Sequence, residues 1–102
     1  MQGYKSKRAK ACDIPKAVKE KVFERDGGLC IFCLCGNASP NAHYISRAHG
    51  GLGIEQNILT LCSECHRRYD ATTDREQMRQ FFKRYLQSKY ADWNENDLIY
   101  KK

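Results

Sequence analysis

The chain has 102 residues, room for one domain and not for two independent cores. Hydrophobic residues make up 41% and charged residues 29%, and no apolar run approaches a membrane span, so a membrane helix is excluded and a globular domain is predicted. A net charge of +6, from 18 Lys+Arg against 12 Asp+Glu, favours a polyanionic partner, most often nucleic acid.

The N-terminus, "MQGYKSKRAKACD", is basic but lacks the apolar core of a secretory signal, which predicts a cytoplasmic protein. Residues 1–12 read as a flexible arm, either lying along phosphates or simply solvated. The folded domain is expected over 13–102. "DIPKAVKEKVFERDGG" predicts a helix capped by Asp13, with Pro15 in its first turn, Val18 and Val22 on one face, and a left-handed stop at Gly27 or Gly28. "LCIFCLCG" reads as a short strand entering a knuckle, followed by turn residues from Gly36 to Pro40. "AHYIS" and "ILTL" read as two short strands with an aperiodic loop, "RAHGGLGIEQN", between them. "CSECHRRYD" starts a helix. A last helix over about 74–90, capped by Asp74, carries the apolar stripe Met78, Phe81, Phe82, Tyr85 and Leu86, which reads as core. Trp93, Leu98 and Ile99 are expected to pack back on the domain.

Six cysteines in a reducing compartment favour a metal over disulfides. Cys30-x-x-Cys33 and Cys62-x-x-Cys65 are two C-x-x-C pairs, a pattern suited to tetrahedral Zn²⁺. Cys35 can substitute for Cys30 or Cys33, but both Cys12 and Cys35 are read as spare. "CSECH" also matches the attachment motif of a c-type haem. That alternative leaves Cys30 and Cys33 unexplained and requires an exported chain. The 28 residues between the pairs exceed the usual ribbon spacing, so they must form a protruding element.

That insert holds His43, "GGLG" and Asn57, and His66 follows on the helix. The stretches "RDGGLCIFC", "AHYISRAHGGLGIEQNILTLC" and "CHRRYD" resemble the HNH endonuclease family, most closely its small stand-alone phage and bacterial members. The resemblance covers roughly residues 13–71. It implies an α+β fold: a small ββα-metal (His-Me finger) domain, core about 41–71, with a four-cysteine zinc knuckle and flanking helices. It further implies a metal-dependent DNA endonuclease leaving 5′-phosphate and 3′-hydroxyl ends. In that assignment His43 is the general base, Asn57 braces the loop that carries it, and His66 binds a catalytic Mg²⁺, Mn²⁺ or other divalent ion. Cys30, Cys33, Cys62 and Cys65 hold structural zinc. DNA is the partner, and the family's links suggest a phage packaging assembly.

Asp70 follows His66 by four residues, so on a helix both side chains share a face and can form half a metal site. Its alternative role is to cap the helix or pair with Arg67 or Arg68. Arg47, Arg67 and Arg68 are candidate phosphate contacts, whereas His49 is read as a loop histidine. One departure stands out. Many family members have Asp or His directly before the base, and here that position is Ala42. Asp70 takes its place, or water and phosphate complete the metal shell, or the site is inactive. The last case defines the rival function, a zinc-ribbon DNA-binding or packaging-accessory module with a decayed centre.

Overall fold

The structure, a computed structural model, describes residues 6–101. Its elements are α1 (Lys7–Cys12), α2 (Lys16–Arg25), β1 (Ala38–His43), β2 (Ile58–Cys62), α3 (Ser63–Ala71) and α4 (Arg75–Lys89). Short 3₁₀ turns span Arg47–His49, Glu55–Asn57 and Glu95–Leu98. β1 and β2 pair antiparallel as a two-stranded sheet, with His43 opposite Ile58 and Ala38 opposite Cys62. The fold is thus α+β, and no helix among the described residues is long and apolar enough to cross a membrane.

Several local features differ from those predicted. The arm expected over 1–12 is helical from Lys7 to Cys12, because the Ser6 hydroxyl accepts from the Ala9 amide and Cys12 is buried. The rest of that arm, residues 1–5, lies outside the described residues. Asp13 does not cap α2: Pro15 takes the N-cap position, and Asp13 accepts instead from Arg47. Gly27 and Gly28 end α2 with φ of +69° and +71°, as the sequence predicts. "LCIFCLCG" is a run of turns and not a strand, since its amides serve the turn: Leu34 donates to the Cys30 carbonyl and Cys33 to the Cys30 sulfur.

β1 begins at Ala38, earlier than expected, and His43 closes it instead of heading it. A bulge between Ser39 and Ala42 takes up Pro40, which has no amide hydrogen to donate. Past His43 the chain leaves the sheet for an irregular loop. Gly51 is required there, since a Cβ would lie 1.6 Å from the Ile45 carbonyl oxygen.

The core joins Tyr44, Leu59, Leu61 and Tyr69 to Met78, Phe82 and Leu86 of α4 and to Leu98. Phe81, expected in this stripe, stays 42% exposed. Asp74 stands at the N-cap of α4 without capping it through its side chain, which accepts from Arg68 Nε at 3.0 Å. Trp93 packs edge-on to Tyr44 and donates to the Gln56 carbonyl. Ile99 pairs with Gly51. A buried pair, Arg25 and Asp26 at 2.7 Å, locks α2 to the sheet: Asp26 accepts from the Thr60 amide and the Tyr85 hydroxyl, and Arg25 donates to the carbonyls of Glu55 and Ile58.

Candidate functional site

Two chemical centres flank the sheet. In the first, the sulfurs of Cys30, Cys33, Cys62 and Cys65 all lie within 4.8 Å of one another. A tetrahedral zinc with bonds of about 2.3 Å separates its sulfurs by about 3.8 Å, and Cys33 and Cys62 are already 3.6 Å apart. Each C-x-x-C turn points an amide at a sulfur, Cys33 to Cys30 at 3.5 Å and Cys65 to Cys62 at 3.4 Å. The Cys65 amide holds the Cys62 thiol down to about 6. At Cys30 burial opposes ionisation, but amides of Cys33, Cys62 and Phe32 outweigh it and hold that thiol down as well. Cys65 is pushed up by burial and by its sulfur neighbours. Four close sulfurs therefore cannot all ionise without a cation, and a dication such as Zn²⁺ relieves that conflict. Cys35 is half-buried and outside the group of four.

The second centre is an open cleft lined by β1, the following loop, and one face of α3. His43, Asn41, Arg47 and His49 line it together with His66 and Asp70. His43 Nε2 lies 2.8 Å from the Cys12 carbonyl oxygen. A carbonyl only accepts, so Nε2 carries the ring proton and Nδ1 keeps its lone pair. Burial is the main influence on this ring and holds its pKa below the ordinary 6.5. At neutral pH His43 is an uncharged acceptor.

Asn57 is fully buried behind the loop. Its Oδ1 accepts from the Ile45 amide at 2.8 Å, while Nδ2 donates to the carbonyls of Ile45 and Leu52. These bonds fix the segment immediately after His43 to the start of β2. Across the cleft, His66 Nε2 and Asp70 Oδ2 are 3.0 Å apart, one turn from each other on α3. Asp70 also faces Arg75 at 3.8 Å, and pairs with neither Arg67 nor Arg68. Among the described residues no third Asp, Glu, His or Cys joins these two as a potential ligand. Ala42 is fully buried in the core and offers no ligand atom.

Of the arginines singled out in the sequence, only Arg47 lines this cleft. It donates to the Cys12 carbonyl and to Asp13. Arg67 pairs with Glu64, and Arg68 pairs with Asp74 above the Phe32 ring. The cleft contains two cations that spacing did not reveal, Lys19 from α2 and Arg75 from α4. Lys19 makes no ion pair among the described residues, which leaves its ammonium available to an anion. Arg75 is steadied over the Tyr69 ring, 4.3 Å from its centroid, and donates to the Tyr69 carbonyl. The chain matches no protein-family model and no curated protein.

Proposed function

We propose that the protein is a metal-dependent DNA endonuclease of HNH type, cutting phosphodiester bonds in the cleft between β1 and α3. The observation that carries this is His43: half-buried, its pKa held below the ordinary value by desolvation, with Nε2 committed to a carbonyl and Nδ1 left as a base, in the same cleft as a His66–Asp70 pair. The order strand, loop, strand, helix supports a ββα-metal unit. His43 Nδ1 takes the proton from an attacking water. Asn57 keeps the loop behind His43 in register. Lys19 and Arg75 receive phosphate oxygens.

His66 and Asp70 fit a divalent ion as two adjacent ligands, their 3.0 Å separation matching the edge of an octahedron with bonds of about 2.1 Å. Bound there, such an ion supplies charge relief at the phosphate and at the departing 3′ oxygen. Zinc at the four cysteines is structural, tying the turn after α2 to the start of α3.

The test is nicking of supercoiled plasmid by the purified chain with Mg²⁺, Mn²⁺ or EDTA, with His43→Ala alongside. Metal-dependent nicking lost in His43→Ala supports the proposal. No cleavage with any metal, from folded protein that still shifts DNA, favours the second reading: a zinc-bound DNA-binding module. Ala42, buried where many HNH proteins carry a ligand, is the observation on that side.

A further inference from the structure

Helix α1 precedes the strand–loop–strand–helix unit by more than two dozen residues of chain, yet it touches the candidate base. A six-residue helix has no stability of its own, so its conformation depends on docking. The last four carbonyls of any helix lack intrahelical partners, and in α1 all four are accounted for. Those of Ala9 and Lys10 accept from the Asp13 amide. That of Ala11 accepts from the Gly53 amide at 2.9 Å. That of Cys12 accepts from both His43 Nε2 and Arg47 Nη1.

The other side of the contact is equally specific. Arg8 donates to the Ala48 carbonyl at 3.0 Å, and Arg47 reaches back to Asp13 at 2.8 Å. Gly53 has no room for a side chain, because a Cβ there would lie 1.8 Å from the Asp13 carbonyl oxygen. Cys12 itself is only 2% exposed. The loop between β1 and β2 is thus built to receive the C-terminal end of α1.

We propose that α1 is a positioning element of the catalytic centre: docked through Arg8, Arg47 and Gly53, it uses the Cys12 carbonyl to hold the His43 ring in its working orientation. Without that carbonyl the ring can turn about its Cβ–Cγ bond and present either nitrogen to the cleft. The base would remain in place chemically but lose its aim. This inference rests on the nuclease reading for its catalytic half and on geometry alone for its structural half.

The experiment uses full-length, zinc-loaded, ¹⁵N-labelled protein. The wild-type chain is expected to show a His43 Nε2 proton slowed in its exchange with water by the bond to Cys12. Gly53→Ala, which drives a methyl into the Asp13 carbonyl, is expected to lose that protected proton while keeping its zinc. In plasmid nicking its kcat should fall about tenfold or more with KM nearly unchanged, the signature of a misaimed base. Arg8→Ala, an exposed change that removes only the Ala48 and Arg47 carbonyl contacts, serves if Gly53→Ala fails to fold. Its expected effect has the same direction.

An unprotected Nε2 proton in the wild type, or one still protected in both variants, overturns the docking. Loss of protection with kcat unchanged overturns the positioning role. A wild-type chain that cuts no DNA removes the proposed function, while the ring proton still decides whether α1 holds His43.

Discussion

The Tyr69 hydroxyl donates to the Tyr44 carbonyl at 2.7 Å, joining the helix that carries His66 and Asp70 to the residue that follows His43. Both tyrosines are buried, and the Tyr69 ring stands edge-on to Phe82 at 4.9 Å. The two walls of the cleft are therefore set against each other by one buried hydrogen bond. Tyr69→Phe keeps the ring and leaves the Tyr44 carbonyl unpaired, an expected loss of about 1–2 kcal/mol. Urea denaturation measures it as a lower midpoint at unchanged slope. Nicking should slow as well, with zinc content intact; wild-type stability in this variant would mean that water replaces the hydroxyl.

Asn57 makes three hydrogen bonds from a fully buried amide. Asn57→Ala strands one amide and two carbonyls, and the expected destabilisation is about 2–4 kcal/mol. The same urea series reads it out. A cost near zero would remove Asn57 as the brace of the loop.

Burial keeps His43 below its ordinary pKa of 6.5, with consequences for rate and for stability. As a base it should stay active to mildly acidic pH, so the acid limb of nicking is expected to have its midpoint below 6.5. For stability the sign follows from linkage: the unfolded chain takes up a proton near 6.5 while the folded chain resists it. The neutral ring's contribution is present above 6.5 and is lost as pH falls through the folded value. Wild type should therefore lose more stability than His43→Gln over that interval. Parallel curves for the two proteins would contradict a ring whose pKa is lowered by desolvation.

Removing zinc is expected to do more than empty a site. Cys30 and Cys33 follow α2, while Cys62 and Cys65 bridge β2 and α3, so an ion held by the four sulfurs would tie these segments together in a domain with a small core. Zinc binding there would be coupled to folding. A strong chelator, or Cys62→Ser, should abolish cooperative thermal unfolding, and elemental analysis should give one zinc per chain. A chelated protein with an undiminished transition would make the cluster dispensable.

The sequence makes the second half of the fold readable. β2, α3 and α4 have helical or apolar periods with clear breaks, and the two C-x-x-C spacings identify the residues whose sulfurs meet. β1 is harder to read because Ser39, Pro40 and Asn41 have the composition of a turn; the bulge is what admits them to a strand. Arg67 and Arg68 follow a different logic. Each helical step turns about 100°, which carries both away from the His66–Asp70 face, so their absence from the cleft is implicit in the spacing. The Cys12 carbonyl against His43 has no such trace: a backbone oxygen 31 residues away leaves no mark in residue type. Lys19 and Arg75 enter the cleft from helices outside the 41–71 unit, and only tertiary packing brings them there.

The bulge at Pro40 also bears on how molecules of this protein meet one another. A two-stranded sheet has two outer edges, each a template for further strands. On β2 the edge is closed: the Thr60 amide donates to Asp26, the Thr60 carbonyl accepts from the Ile31 amide, and the Ile58 carbonyl accepts from Arg25. On β1, Pro40 has no donor and the bulge breaks the regular spacing that an incoming strand would need. Neither edge of the sheet is thus open to an incoming strand from a second copy of the chain. Asp26, which looks like a purely internal anchor, is by the same contacts a guard against self-association.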